Sequence, residues 1–352
     1  MHSIASVSIK QFTVGGEVTA VVWSDVLAAN DDPIRCLGTA AASVCAHRLI
    51  TGQNVSRNSG FLEPTAVREN GLVATFHRPS TSGTHPGIIV IGGAGGGLGS
   101  TSTVGSLLAE RGYAALALAY FGLEHLPARL EEIPLEYFRS AIEWMRSQPS
   151  VEPRKIGVVG TSKGGEAALL VSATYREIRA VVAYSPSHVV FQGINEAWSD
   201  ASASKSSWTL DGKPVPFVPF RINNDYIERY GFYLGLYLGS LQDRQAVERA
   251  FIPVERINGP ILLASGMNDA IWPSSMMCEQ VVERLKQRHF AFSFQHFPYD
   301  GAGHLLAGPS RLAPARSIGA GDMAVGGTED ANAAARDDAW AKVCTFLGAN
   351  LT

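Results

Sequence analysis

Three side chains of this sequence could together cut an acyl bond: Ser162, Asp269 and His304. A serine hydroxyl is a poor nucleophile until a base takes its proton, and an imidazole serves best when a carboxylate fixes its tautomer. Ser162 stands in Gly160-Thr161-Ser162-Lys163-Gly164. In a tight turn from strand to helix, a glycine on either side avoids the clash that a Cβ would bring, and the strained serine is pushed out of the turn. The chain holds 36 glycines, so the spacing alone is a weak signal. Its flanks make it a strong one. The apolar run 155–159 reads as a buried strand, and the small-residue run 165–171 as the helix that follows.

Such a turn needs a sheet beneath it. From residue 71 onward the sequence predicts strands at 72–77, 87–91, 114–119, 155–159, 180–183, 261–264 and 292–297. Helices are expected at 104–111, 135–147 and 331–347. Alternation of this kind implies right-handed crossovers and a mostly parallel sheet flanked by helices. Parallel strands share one carboxyl edge, so Ser162, Asp269 and His304, each just past a strand, converge there. The order serine, acid, histidine is that of an α/β-hydrolase fold.

Other residues compete for these roles. Among nine histidines, His289 falls near a helix end, where it complements the dipole, and His296 falls inside an alternating strand as a structural residue. Asp300 lies four residues before His304 on the same loop and cannot easily reach the far imidazole nitrogen. Glu166 reads as a carboxylate at a helix N-terminus with no part in chemistry, and the Lys163 side chain as solvated. The glycine-rich run 92–99 lacks the GK[ST] ending and the downstream acid of nucleotide loops. A hydrolase has a different use for it. The Lys163 amide supplies one oxyanion donor and this loop the second, from Ala94 or, next, Gly93.

A net charge of −3 and the absence of a basic stripe argue against a nucleic-acid surface. Cys36, Cys45, Cys278 and Cys344 form no metal-ligand spacing and read as reduced thiols. No run of ~18 apolar residues offers a membrane span, and the first ten residues lack a signal-peptide pattern. The expectation is a cytoplasmic protein that acts on a small molecule and uses no metal or other cofactor. Two stretches interrupt the alternation. Residues 188–257, rich in aromatics and proline, are expected to form a lid over an acyl site, with Phe217 and Phe220 touching the acyl chain and 215–220 an ordered loop. Residues 305–330 are rich in Gly, Pro and Ala. Residues 1–63 form an N-terminal extension in which a hairpin about Gly15-Gly16 and a short helix at 40–49 are the legible features.

Several segments in order carry a resemblance: GGAGGGL, ALALAYFGLEHLP, IPLEYF, GTSKGGEAALL, SSWTLDGKPVPFVP, IPVERINGPILLASGMNDAIWPSS, PYDGAGHLL and GGTEDANAAARDDAWAKVCTFL. From about residue 64 to the end, the chain resembles the bile acid-CoA:amino acid N-acyltransferase and acyl-CoA thioesterase family. The resemblance implies an α/β-hydrolase domain with its triad on Ser162, Asp269 and His304, and an acyl-CoA or carrier thioester as substrate. Two features depart from the family. Fuller members carry an N-terminal immunoglobulin-like β-sandwich, of which residues 1–63 are at most a remnant. The nucleophile is serine, as in the family's thioesterases, rather than the cysteine of its amino-acid transferases. An acyl-serine is an oxyester left for water, so hydrolysis is favoured. The rivals are an oxyester or lactone hydrolase similar to dienelactone hydrolases, an acyltransferase to an amine or alcohol, and an inactive binding protein on the same scaffold. The complete triad argues against the last.

Overall fold

The computed structural model describes residues 11–14, 17–20, 62–194, 205–312 and 324–352. The chain divides into two units, Met1–Arg57 and Asn58–Thr352. In the first, β1 (Gln11–Val14) pairs antiparallel with β2 (Glu17–Ala20), Val14 opposite Glu17. The expected Gly15-Gly16 turn and the helix at 40–49 lie outside the described residues.

The second unit is built on an eight-stranded sheet. Its elements begin with β3 (Thr65–Val67), β4 (Val73–His77), β5 (His85–Ile91), α1 (Gly99–Ala109), β6 (Ala114–Ala119), β7 (Ile133–Pro134) and α2 (Leu135–Ser147). There follow β8 (Val151–Thr161), α3 (Lys163–Thr174) and β9 (Ile178–Tyr184). After the insertion come β12 (Ile261–Gly266), α7 (Ser274–Gln287), β13 (Phe294–Tyr299) and α8 (Glu329–Leu351). The strand order is β13-β12-β9-β8-β5-β6-β4-β3. Pairing is parallel from β13 to β6, and β4 and β3 run antiparallel at the edge. The order reverses between β5 and β8, and the crevice above such a reversal is where open α/β sheets bind ligands.

Near-continuous apolar runs form the inner strands because helices cover both faces. Successive side chains alternate between two cores. Ile89, Ile91, Val158, Val181, Leu263 and their neighbours pack on one side with Phe138, Met145 and Leu169. Ile88, Val90, Val159, Val182 and Leu262 pack on the other with Leu108, Trp340, Val343 and Leu347. The sheet is therefore sandwiched between α2 and α3 on one face and α1 and α8 on the other. In α2, Leu135, Phe138, Ala141, Ile142 and Met145 keep the three- and four-residue spacing of a buried helical stripe. Helix α1 starts five residues before the expected 104. Its first turn is polar and carries no apolar period, and the Thr101 and Thr103 hydroxyls bond back to the Leu98 and Gly99 carbonyls. Among the described residues no helix is long and apolar enough to cross a membrane.

The insertion carries β10 (Trp208–Leu210), β11 (Lys213–Pro214), α4 (Asn224–Tyr230), α5 (Phe232–Ser240) and α6 (Arg244–Ala250). β10 pairs with β11 and also, in parallel, with β7 of the main unit. Residues 215–220 run outside any strand, with a single bridge from Val218 to Phe191. A third core joins Phe191, Phe220, Leu236 and Tyr237 of the insertion to Trp272 and Met277 beyond β12. The insertion is thus packed into the domain rather than tethered above it.

Candidate active site

Ser162 sits between the end of β8 and the start of α3 with φ 59° and ψ −122°, a conformation that costs a non-glycine residue about 1–3 kcal/mol. Both flanking glycines are required by contact. A Cβ on Gly160 would lie 2.0 Å from the Gly164 carbonyl oxygen, and one on Gly164 would lie 2.3 Å from the oxygens of Ile91 and Gly92. The turn is pinned from below, where the Ser162 amide donates to the Tyr184 carbonyl at 2.9 Å.

The carboxyl edge brings the other two predicted residues to this hydroxyl. His304 Nε2 lies 2.8 Å from Ser162 Oγ, and His304 Nδ1 lies 2.7 Å from Asp269 Oδ2. Asp269 and His304 are both buried, at 5% and 4% exposure. With the proton on Nδ1 donated to Asp269, Nε2 is free to accept the Ser162 proton. Asp300 is exposed and takes up the Gly301 amide of its own loop. His296 bonds to Ser265 Oγ at 2.7 Å, and burial lowers its pKa to about 4. His289 is exposed just past α7.

Residues that the sequence does not single out hold these three side chains in register. Ser274 Oγ donates to Asp269 Oδ2 at 2.6 Å, while the Ile271 and Trp272 amides donate to Oδ1. Such a turn, in which an aspartate caps its own following amides, is visible in the run Asp269-Ala270-Ile271-Trp272-Pro273-Ser274. Ser185 Oγ donates to the His304 carbonyl at 2.7 Å, and Trp272 Nε1 donates to the Ser185 carbonyl at 3.0 Å. The Trp272 ring meets the His304 ring edge-on at 5.8 Å. The end of the 305–330 stretch returns to the site. The His304 amide bonds to the Val325 carbonyl, and Asn332 on α8 accepts from the Gly303 amide while donating to the Gly326 carbonyl. Arg336 on the same helix donates to the carbonyls of Ala307, Gly308 and Pro309. Ser185 and the α8 residues are distant in sequence from the groups they hold, and only the fold reveals them.

The glycine-rich loop lies against the serine: the place a Cβ would take on Gly93 is 3.6 Å from Ser162 Oγ. Tyr120, fully buried, holds this loop by donating to the Gly92 carbonyl at 2.9 Å. At the start of α3 the Gly165 and Glu166 amides bond to the Ser162 carbonyl, and helix geometry leaves the Lys163 amide without an intrahelical acceptor.

The Lys163 and Glu166 side chains differ from what the sequence leads one to expect. Lys163 is not solvated: it is 1% exposed, and Nζ donates to Glu166 Oε1 at 2.6 Å. Glu166 is wholly buried and also accepts from Trp208 Nε1 at 2.8 Å, so it is far more than a carboxylate near a helix end. Burial pushes the Lys163 ammonium down and the Glu166 carboxyl up from their usual values, and each partner's charge pulls the other back.

Phe220 also departs from its expected place. It is enclosed in the third core, stacked on Phe191 and edge-on to Tyr237, so its role is packing rather than contact with an acyl chain. Phe217 is half-buried against the main core. Phe220→Ala is expected to cost about 3–5 kcal/mol, the usual penalty for emptying a buried phenylalanine site. Urea unfolding monitored by circular dichroism reads that loss, and a change below 1 kcal/mol would contradict the core placement.

Among the described residues no three His, Cys, Asp or Glu side chains gather as metal ligands would. The family described as BAAT / Acyl-CoA thioester hydrolase C terminal matches residues 133–352. Acyl-coenzyme A thioesterase 1 of Mus musculus is 32% identical over 80% of this chain and 64% of its own length. Acyl-coenzyme A amino acid N-acyltransferase 1 of Mus musculus is 29% identical over 88% of this chain and 69% of its own. The chain thus spans less than two thirds of the thioesterase's length. A puromycin-hydrolyzing peptidase of Mycobacterium tuberculosis shares the fold, with TM-score 0.51 and 17% identity over 82% of this chain and 39% of that one.

Proposed function

The chain belongs to the BAAT / acyl-CoA thioester hydrolase C-terminal family, and from that membership we propose that it hydrolyses acyl thioesters, acyl-CoA above all, through an acyl-Ser162 intermediate. The observation that carries this reading is the continuous line from Ser162 Oγ through His304 to Asp269, at 2.8 and 2.7 Å. Ser162 Oγ attacks the thioester carbonyl while His304 Nε2 takes its proton. The Lys163 amide and a second amide from Ala94 or Gly93 hold the oxyanion that forms. Collapse breaks the C–S bond, the thiol leaves with the proton from Nε2, and an ester to Ser162 remains. His304 then takes a proton from water, the resulting hydroxide attacks the ester, and collapse returns the proton to Oγ as the free acid departs. Asp269 holds the imidazolium in both halves.

An apolar acyl group suits the rim of the site. Leu305, the residue after His304, leaves half its surface exposed, and Phe217 remains a candidate for contact further along the chain. Hydrolysis is favoured over transfer because an acyl-serine, unlike an acyl-cysteine, is no longer a thioester primed for an amine. A panel of acyl-CoA thioesters and 4-nitrophenyl esters, assayed with and without an added amino acid, tests the reading. Thiol release on acyl-CoA should exceed ester cleavage in kcat/KM, with free acid as the product whether or not the amino acid is present. Ester cleavage alone would point to an oxyester hydrolase, and an N-acyl amino acid product to a transferase.

A further inference from the structure

The proposed mechanism uses the Lys163 amide but leaves its side chain and Glu166 without a task, although they form a wholly buried charged pair directly after the nucleophile. Taking both ions out of water costs several kcal/mol each, and well-packed apolar residues of the same size often stabilise a fold as well or better. Stability therefore does not account for the pair. Its geometry suggests another role. Glu166 Oε1 is a single point on which two donors meet, Lys163 Nζ at 2.6 Å from the residue beside the nucleophile and Trp208 Nε1 at 2.8 Å from the insertion. Lys163 Nζ also lies 5.6 Å from the centre of the Trp208 ring, within range of a cation–π contact. Trp208 in turn packs on Tyr120, the residue that holds the Gly92 carbonyl of the loop opposite Ser162.

We propose that Glu166 is a positioning residue that locks the oxyanion-binding turn to the insertion. Its carboxylate draws the Lys163 side chain inward, which fixes the peptide whose N–H must face the oxyanion. Its bond from Trp208 ties that peptide, through Tyr120, to the glycine-rich loop that supplies the second donor. Both walls of the oxyanion hole then rest on one buried carboxylate. The inference depends on the proposed role of Ser162 and goes beyond it by assigning the support of the hole.

The test separates support of the transition state from support of the fold. Lys163→Met/Glu166→Gln replaces the ion pair with neutral groups of similar size and is expected to unfold within about 4 °C of the wild type. Its kcat on an acyl-CoA should nevertheless fall about 10- to 100-fold with KM within twofold, since a small misplacement of an oxyanion donor acts on the transition state. Affinity for a trifluoromethyl ketone, which forms a tetrahedral oxyanion on the serine, should fall in parallel. Wild-type kcat and ketone affinity in this variant would overturn the proposal. Should the double variant fail to fold, Trp208→Phe serves instead, because it removes one donor to Glu166 and keeps both charges. It should lose kcat and ketone affinity together, and a Trp208→Phe enzyme unchanged in both would overturn the proposal equally. Ser162→Ala is run beside them: if it kept turnover, both readings would fall, whereas an inactive Ser162→Ala with unaffected pair variants would sink the positioning role alone.

Discussion

Ser162→Ala is expected to lower acyl-CoA turnover by about 10⁴-fold or more and to abolish the single adduct left by a fluorophosphonate probe. Without Oγ no acyl-enzyme can form, and His304 has only solvent to activate. The fold should be indifferent to the change, because the backbone of the turn is held by the Ser162 amide and the two glycine contacts rather than by the hydroxyl. At φ 59° the serine holds strain that glycine does not feel, so Ser162→Gly should be as inactive as the alanine variant and more stable than the wild type by about 1 kcal/mol. Intact-mass spectrometry after labelling, together with urea unfolding of the three proteins, reads both effects. An adduct that persists in either variant would remove Ser162 as the nucleophile. A glycine variant less stable than the wild type would show that the turn is not strained.

The parts of this site that were legible in the sequence are those fixed by local rules. Gly160-x-Ser162-x-Gly164 between an apolar run and a small-residue run already implies the turn, since the reason for each glycine is a clash within a few residues or with the neighbouring strand. Asp269 and His304 could be found because each follows a strand in a parallel sheet whose carboxyl ends share an edge. Helix α2 was legible to its last residue because its apolar stripe and its ends coincide. The start of α1 was not, because its first turn is polar and is closed by threonine hydroxyls. Lys163 and Glu166 illustrate the general limit. A lysine and a glutamate three apart on a first helical turn look like a solvated pair, and the indole that meets them in the interior, Trp208, lies 42 residues further on. Phe220 shows the same limit. Proline and aromatic content shows that a segment is ordered and apolar, but which ring faces the core is decided by partners such as Phe191 and Tyr237 from other turns of the chain.

Asp269→Asn should reduce kcat by about 10⁴-fold while Asp300→Asn stays within twofold of the wild type. Asp269 Oδ2 lies between His304 Nδ1 and the Ser274 hydroxyl, and Oδ1 takes the Ile271 and Trp272 amides. An asparagine there must turn its NH₂ toward one of these pairs. Turned toward Oδ1's place, it meets two backbone N–H groups that cannot accept. Turned toward His304, it forces Nδ1 to become the acceptor and moves the imidazole proton to Nε2, where it can no longer take a proton from Ser162. The second arrangement leaves fewer donors opposed, so the variant should fold and bind substrate with a wrong tautomer and a nearly unchanged KM. Asp300 accepts the Gly301 amide of its own exposed loop, a bond that asparagine can keep. Steady-state kinetics on one acyl-CoA, with circular dichroism to check folding, distinguishes the two positions. A severe loss in Asp300→Asn beside a mild one in Asp269→Asn would transfer the role of acid to Asp300, and the 2.7 Å contact between His304 and Asp269 would then be structural.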